Sequence, residues 1–287
     1  MKLRELENPD LFLATASPLL TADEARHNLM FGICATLAEI PDAYPAARLW
    51  TIEEADAVVG AAMMTPPFNV IVAKPRTGAA LRFLAGELHR RDIDLPGVTG
   101  ALPEADEFAA AWEKLTRAQR RPRMHQGIYQ ASSVRPPDGV PGRMRLATGA
   151  DRQLVLNWWQ AFADESLPAD APRGHTEAHV DRRLASSTGG VALWEDGEPV
   201  SLASFGGRTP NGVRIGPVYT PPRWRRRGYA SALVGNLTRH LLEDERDFCF
   251  LYTDLANPSS NRIYQDLGYE VVAESVDYAF DAPQDGS

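Results

Sequence analysis

The chain has 287 residues, of which 44% are apolar and 24% are charged, and its formal net charge at pH 7 is −8. This length favours two domains, and the composition is that of a globular protein. The negative charge argues against a general nucleic-acid binder, because neutralising phosphates requires a basic surface. No apolar run approaches the ~20 residues that cross a bilayer, and no N-terminal apolar run follows basic residues. We therefore expect a cytoplasmic protein without membrane contact.

The first half of the chain alternates helix and strand patterns. Apolar residues recur at helical spacing over residues 21–36, 79–90 and 104–117. Short apolar runs predict strands over residues 57–64, 69–73 and 97–100. Cys34 lies in the first of these helices and Cys249 in a later apolar strand, and we expect both thiols to be reduced and packed.

A segment rich in proline, glycine and serine separates the two halves. The strand-like residues 126–130 are followed by residues 132–142, a composition that predicts a linker or an exposed crossover. We therefore predict four parts of the chain. They are a first domain over residues 1–125, a linker or crossover strand over 126–142, a second domain over 143–281, and a disordered tail over 282–287.

The second half has two hairpin signals, Asp196-Gly197 and Asn211-Gly212. Strands are predicted over residues 143–147, 191–195, 199–205, 213–219 and 248–253. Helices are predicted from Asp151 through Phe162 and over residues 177–186 and 229–242. Residues 270–274 and 275–280 are expected to close this second sheet as antiparallel strands.

The most informative segment follows the strand at 213–219. Pro221-Pro222 stops the strand, and an arginine-glycine turn leads into the next helix. The first turn of a helix leaves its N–H groups without intrahelical partners and carries partial positive charge. Gly228 lets the backbone approach a ligand, and three arginines add mobile positive charge. This order predicts a phosphate or pyrophosphate site formed by Arg225, Arg226, Arg227, Gly228, Tyr229, Ala230 and Ser231.

A second pattern lies downstream, after the strand at 248–253. Asn257-Pro258 opens a helix, Tyr264 lies seven residues after Asn257, and Gly268-Tyr269 follows. Together the two segments resemble the GCN5-related N-acetyltransferases, or GNAT superfamily. Arg225-x-x-Gly228-x-Ala230 fits that family's phosphate turn, Gln/Arg-x-x-Gly-x-Gly/Ala, and the Asn-led helix with its tyrosine is the family's next landmark.

This resemblance implies a fold and a co-substrate. The implied fold is of the α/β (α+β) class, a mixed and mostly antiparallel sheet flanked by helices, with a splayed pair of parallel strands. Acetyl-CoA would lie at the splay, with its pantetheine arm along Val218, Tyr219 and Thr220 and its pyrophosphate on the arginine-glycine turn. Asn257 is expected to cap its helix and, with Asn261, to contact the cofactor arm.

The resemblance also gives Tyr264 a chemical role. Expelled CoA thiolate must gain a proton, and a phenol near the sulfur can donate it; the alternative is a packed core tyrosine. Backbone N–H groups near Val218 and Tyr219 would polarise the acetyl carbonyl. No activated cysteine is evident, so we expect direct transfer in a ternary complex.

The general base is not defined by the sequence. Many relatives place a glutamate on the strand before the turn, but residues 213–219 contain no carboxylate. The candidates for the general base are Asp164, Glu165, Asp254 and a water-mediated base.

Other side chains of the second half are candidates for the acceptor pocket or a metal. Trp158 and Trp159 could shape the pocket, with at least one of them in the core. His175 and His179 have the i, i+4 spacing of some metal ligands, but no third ligand lies nearby. We therefore expect an exposed helix pair and no metal.

The first half repeats the element order of the second half without its phosphate turn. After the strand at 69–73 comes Lys74-Pro75-Arg76-Thr77-Gly78, which lacks the Arg-x-x-Gly-x-Ala pattern. We interpret this half as a degenerate GNAT-like domain; the alternative is an unrelated α/β domain. The chain would then resemble tandem acetyltransferases in which one half keeps the cofactor site.

The predicted function is acetyl-CoA-dependent N-acetyl transfer to a primary amine of a small molecule or peptide. Net acidity mildly favours a cationic amine. One alternative is a non-catalytic acyl-CoA-binding module whose N-terminal half recognises a partner. A weaker one is an ATP-binding protein, which lacks the Gly-Lys-Ser/Thr of a P-loop. Whether the protein is a monomer or a homodimer is left open by the sequence.

Overall fold

The computed structural model describes residues 1–166, 176–244 and 246–282. Contacts divide these residues into two units of similar size. The N-terminal unit contains Met1–Gly127 and the segment from Ala273 onward, and the C-terminal unit contains Ile128–Val272.

The N-terminal unit has a sheet with helices on both faces. Its elements are β1 (Lys2–Leu6), α1 (Pro9–Leu20), α2 (Glu24–Glu39), β2 (Arg48–Glu54), β3 (Ala57–Met64), β4 (Val70–Val72), α3 (Ala79–Arg90), β5 (Gly97–Ala101), α4 (Glu104–Thr116) and β6 (Gln119–Ala131). Strands β1 to β4 pair antiparallel in sequence order, and β4 pairs parallel with β5. One face of the sheet packs on α3 and α4, and the other on α1 and α2.

The C-terminal unit repeats this order of helices and strands. Its elements are β7 (Arg143–Leu146), α5 (Arg152–Ser166), α6 (Thr176–Ala185), β8 (Gly190–Asp196), β9 (Glu198–Gly206), β10 (Gly212–Tyr219), α7 (Tyr229–Glu243), β11 (Phe248–Asp254), α8 (Pro258–Leu267) and the first residues of β12 (Glu270–Asp281), a strand that continues into the N-terminal unit. Strands β7 to β10 pair antiparallel in sequence order, and β10 pairs parallel with β11. The repeat confirms the prediction that the two halves share a fold.

The two faces of the C-terminal sheet have different cores. Leu233 and Leu237 of α7 pack with Val213 and Ile215 of β10, all of them buried. On the opposite face, Val155 of α5 and Val180 of α6 pack with the inward side chains of β8 and β9. Alternate residues of β10 therefore face alternate helical layers. Both cysteines are buried and unpaired, as predicted.

The last strand corrects one expectation from the sequence. Residues 270–280 were expected to form two strands closing the second sheet, but they form one strand, β12. From Ala273 onward it belongs to the N-terminal unit, where it pairs antiparallel with β5 from Ser275↔Ala101 to Ala279↔Gly97. The alternating pattern predicts a strand, but the choice of partner depends on residues far away in sequence. Of the predicted tail, only residue 282 is described; residues 283–287 lie outside the described part of the chain.

Candidate functional site

Strands β10 and β11 separate part-way along their length. In the described chain their parallel register runs from Gly212↔Phe248 to Arg214↔Phe250 and is not continued beyond it. On its other edge, β10 has an irregular register against β9 between Ile215 and Val218. Pro217 in this interval has no N–H, so a backbone donor here must come from a neighbouring residue. The carboxyl half of β10 therefore has backbone groups directed at the gap between the two strands.

The predicted arginine-glycine turn joins this gap to the start of α7. Arg226 and Gly228 both have left-handed backbones, with φ of 61° and 83°. Gly228 is the N-cap residue, and the first intrahelical bond runs from the Ala232 N–H to the Gly228 carbonyl at 2.9 Å. The N–H groups of Tyr229, Ala230 and Ser231 therefore lack intrahelical acceptors and are available to an anion.

Aromatic side chains hold this turn in place. The Tyr229 hydroxyl donates to Asp196 Oδ2 at 2.6 Å, a hydrogen bond that raises the pKa of Tyr229. The Trp224 ring meets the Tyr229 ring edge-on, with centroids 6.4 Å apart. The guanidinium of Arg227 lies 4.9 Å from the centroid of Trp224. The first residue of α7 is thus anchored to β8.

Arg225 is fixed rather than mobile, contrary to our expectation for this residue. Its Nε donates to the Thr220 carbonyl at 2.8 Å, and its Nη2 donates to Glu165 Oε2 at 2.6 Å. Glu165 Oε1 in turn accepts from the Tyr219 hydroxyl at 3.1 Å. Burial, followed by this hydrogen bond, raises the pKa of Tyr219. Glu165, a candidate base, is therefore engaged by two donors beside the turn.

The start of α8 provides a second set of polar groups. Asn257 Oδ1 accepts from the Ser260 N–H at 3.2 Å, so this residue caps the helix as predicted. The Asn261 amide donates to the Asp254 and Leu255 carbonyls, each at 3.2 Å. Asn261 Oδ1 is buried and has no hydrogen-bond partner among the described residues. A buried acceptor without a donor is costly, so this position suits a ligand N–H.

Tyr264 lies on α8 and is only 8% exposed. Its ring centroid is 6.4 Å from that of Tyr129 and 6.1 Å from that of Tyr269. Burial raises the pKa of Tyr264 to about 12, so the phenol is protonated at neutral pH. This state is required of a proton donor and is equally compatible with a core tyrosine.

Comparisons with known proteins identify the fold. Residues 195–277 match a family model described as FR47-like protein. A tandem GNAT protein from the clavulanic acid biosynthesis pathway is 16% identical, with a TM-score of 0.62, and the match covers 99% of this chain and 100% of that one. The chain has a tandem GNAT fold.

Two further solved structures have the same fold along nearly the whole chain. A GNAT-family acetyltransferase from Colwellia psychrerythraea is 13% identical, with a TM-score of 0.58, over 98% of this chain and 100% of that one. A GCN5-related N-acetyltransferase from Sphaerobacter thermophilus is 17% identical, with a TM-score of 0.59, over 96% and 94%. A comparison with curated proteins found no match.

The structure corrects our interpretation of His179, which lies on α6 of the C-terminal unit. His179 is partly buried rather than exposed, and its ring lies 5.0 Å from that of Trp159. Burial and the nearby arginines lower the pKa of His179 to about 3. His175 lies outside the described residues. In the described ranges, no group of three His, Cys, Asp or Glu side chains could hold a metal, and no helix is long and apolar enough to span a membrane.

The other carboxylates named from the sequence have local partners. Asp164 Oδ1 accepts from the Gln160 amide at 2.9 Å, and Asp254 Oδ1 accepts from the Ala256 N–H at 2.8 Å. Trp158 packs its ring 6.4 Å from Tyr219, at the carboxyl end of β10. The arrangement does not single out a general base.

The N-terminal GNAT unit has a histidine where the other unit has its gap. Past the parallel pairing of Ile71 with Thr99, the Lys74 N–H donates to His27 Nε2 at 3.0 Å. His27 Nδ1 therefore carries the proton and donates to the Leu20 carbonyl at 2.9 Å. Gly78, before α3, has a right-handed backbone with φ of −64°, unlike Gly228. The Lys74 N–H, which follows the last parallel pair of β4 and β5, thus has a side chain of the protein as its acceptor.

Proposed function

We propose that the protein is an acetyl-CoA-dependent N-acetyltransferase whose reaction takes place in the C-terminal unit. The observation that carries this proposal is the free first turn of α7, which faces the end of a separating parallel strand pair. The match of residues 195–277 to the FR47-like family model covers this same region. The N-terminal unit has the same fold, but His27 occupies the corresponding backbone donor, so we assign it no cofactor site.

The residues of the C-terminal unit fit acetyl-CoA. Positive φ at Gly228 opens the turn, and a Cβ there would lie 3.1 Å from Val140 Cγ2. We propose that the N–H groups of Arg226 to Ser231 bind the pyrophosphate, and that the backbone of Val218, Tyr219 and Thr220 binds the pantetheine amides. The orphaned Asn261 Oδ1 would accept from an amide of the same arm.

The proposed reaction is direct transfer. The amine nitrogen of the acceptor bonds to the acetyl carbon, the carbon–sulfur bond breaks, and the sulfur leaves with the electron pair. Tyr264 donates its proton to that sulfur, the amine proton passes to water, and the Tyr264 phenolate regains a proton from water. Cys249 is an unsuitable nucleophile because burial raises the pKa of its thiol to about 12. No acyl-cysteine step is therefore needed.

The test is thiol release from acetyl-CoA with a panel of primary amines. We expect release with at least one amine, and an approximately 100-fold lower kcat in Tyr264→Phe with little change in acetyl-CoA affinity. Tyr129→Phe is the matched control, since Tyr129 is a buried neighbour in the same core. If Tyr264→Phe folds and turns over at the wild-type rate, the proton-donor role is wrong.

The rival function is acyl-CoA binding without catalysis. It is favoured if calorimetry detects acetyl-CoA binding while no amine in the panel causes thiol release. If acetyl-CoA does not bind at all, both the enzyme and the binding module are excluded.

A further inference from the structure

Glu165, in the last turn of α5, binds a cation at the carboxyl end of β10. Its Oε2 accepts from Arg225 Nη2 at 2.6 Å, and its Oε1 accepts from the Tyr219 hydroxyl at 3.1 Å. The guanidinium carbon of Arg225 lies 5.7 Å from the centroid of the Tyr219 ring. A carboxylate beside an aromatic face is a favourable environment for a positive group. We call the Glu165 carboxylate and the Tyr219 ring the cation site, which Arg225 occupies in this structure.

The cation site lies on the face from which an acceptor can approach. Val218 packs against the core under α7, so the next residue, Tyr219, points to the α5 face of the sheet. There the Tyr219 ring lies 6.4 Å from the ring of Trp158 on α5. Because the core under α7 closes the opposite side, an acceptor reaches the strand gap from the side of the cation site.

Arg225 in its present position conflicts with bound acetyl-CoA in two ways. Its Nε donates to the Thr220 carbonyl at 2.8 Å, and this carbonyl belongs to the backbone that we propose for the pantetheine amides. Its guanidinium also holds the Glu165 carboxylate next to the turn, where the N–H groups of Arg226 to Ser231 are proposed to bind the pyrophosphate. A carboxylate and a pyrophosphate repel each other. Both conflicts end if Arg225 leaves Glu165 and binds the pyrophosphate.

This exchange of partners requires little free energy. The side chains of Arg225 and Glu165 are 41% and 43% exposed, and water screens an ion pair as exposed as this one. A pyrophosphate carries more negative charge than a carboxylate and offers the guanidinium paired, charge-assisted hydrogen bonds. Cofactor binding would therefore draw Arg225 away and leave the cation site open to another positive group.

The distance between the cation site and the backbone of β10 indicates which positive group fits. Backbone N–H groups near Val218 and Tyr219 are expected to hold the acetyl carbonyl, and Glu165 binds the far end of the rigid Tyr219 side chain. A general base must come within about 3 Å of the group that it deprotonates. Glu165 is better placed for a second positive group of the acceptor. A chain of about four carbons, as in a lysine side chain, spans a similar length.

We propose that the cation site binds the second ammonium group of a linear diamine acceptor, after acetyl-CoA has drawn Arg225 away. The acceptor class is then a small dication rather than any primary amine. The assignment of this ammonium to an acceptor rests on the proposed function above. Glu165 is a specificity-determining residue in this proposal and does not touch the reacting atoms.

The first test does not depend on catalysis. Arg225→Gln removes the resident cation, and diaminobutane is titrated while the Trp158 indole resonance is followed by NMR. We expect a saturable shift in Arg225→Gln without cofactor, and in wild type only when CoA is bound. The shift should be absent when Arg225→Gln is combined with Glu165→Gln. The absence of a shift in folded Arg225→Gln overturns the cation site; if this variant does not fold, wild type and Glu165→Gln with bound CoA decide in the same way.

The second test compares matched acceptors in the thiol-release assay. Linear diamines are paired with amino alcohols of the same chain length. We expect kcat/KM of the preferred diamine to exceed that of its amino alcohol by about 5- to 10-fold. Glu165→Gln should remove this preference mainly through KM, and Glu165→Asp should keep part of it. Glu198→Gln is the control, because it breaks another exposed ion pair of this unit, with Arg223 at 3.2 Å.

The third test measures the exchange of partners by acetyl-CoA calorimetry. Glu165→Gln should bind acetyl-CoA about 2- to 5-fold more tightly than wild type, because the group that competes for Arg225 has lost its charge. Weaker binding in Glu165→Gln would mean that Glu165 holds Arg225 ready for the cofactor, and would overturn the exchange.

The outcomes separate this inference from the proposed function. Equal kcat/KM for diamines and amino alcohols in an active enzyme overturns the role of the cation site while acetyl transfer stands. An equal loss of kcat for both classes in Glu165→Gln also overturns it, because Glu165 would then act on the reacting amine. If no amine causes thiol release but Arg225→Gln gives the expected NMR shift, the cation site stands and the proposed function fails.

Discussion

His179 should make the stability of the protein depend on pH in a way that one substitution removes. Burial and the charges of Arg183, Arg182 and Arg214 lower its pKa from 6.5 to about 3 in the folded state. The unfolded chain therefore binds a proton at this site as the pH falls below about 6.5, while the folded protein does not. The lowered pKa of His179 therefore decreases the free energy of unfolding progressively as the pH falls from about 6.5 to about 3.

The expected size follows from proton linkage. At about pH 5 the unfolded imidazole is mostly protonated and the folded one is still neutral, so the free energy of unfolding falls by about 2 kcal/mol relative to about pH 7.5. This value is insensitive to the folded-state pKa as long as that pKa stays well below 5. The His179 ring is partly exposed to water, which weakens its interaction with the neighbouring arginine charges. The value of about 2 kcal/mol is therefore an upper limit.

The assay is urea unfolding of wild type and His179→Gln at both pH values. We expect the loss of stability on acidification to be smaller in His179→Gln by about 1–2 kcal/mol. Subtracting the two proteins cancels the contribution of His27, whose pKa is also lowered by burial. His240→Gln, at an exposed position on α7, controls for removing an imidazole. Identical pH dependence in wild type and His179→Gln would refute the arrangement of charges described around this ring.

Two further outcomes test the turn and the thiols. Gly228→Ala and Gly197→Ala each force an alanine into positive φ, at 83° and 72°, and each should cost about 1–2 kcal/mol in urea unfolding. Only Gly228→Ala, whose Cβ meets Val140, should also weaken acetyl-CoA binding by calorimetry. Equal weakening in both variants would contradict the proposed pyrophosphate site at the arginine-glycine turn. Burial raises the pKa of Cys34 and Cys249 to about 12, so a thiol reagent at about pH 8 should label neither in the folded protein and both in urea.

Local sequence predicted most of the helices and strands. Helix α3 was predicted with its observed bounds because Leu81, Leu84 and Leu88 recur on one buried face. Helix α1 was not predicted, since Pro18 lies inside it and proline normally interrupts a helix. The partner of β12 could not be predicted either. Its Ser275 hydroxyl donates to the Gly100 carbonyl, 175 positions away.

The candidate site also has features that local sequence predicts and features that depend on residues far apart in the chain. The arginine-glycine turn and the capping by Asn257 are encoded within short segments, so their conformations could be predicted. The pairing of Arg225 with Glu165 joins residues 60 positions apart and fixes a side chain expected to be mobile. The charges that lower the pKa of His179 come from Arg182 and Arg183 on its own helix and from Arg214 on β10, and nothing in either segment alone indicates that they act together.

The place of β12 affects the order in which the protein can fold during synthesis. A first domain commonly folds while the rest of the chain is still being made. Here the edge of β5 in the N-terminal unit lacks its partner until residues 273–281 have left the ribosome. Meanwhile β6 carries the chain from the N-terminal unit into the C-terminal unit at Ile128. The N-terminal unit is therefore completed by a strand that emerges only after the C-terminal unit, and a chain that stops before Ala273 would lack this strand.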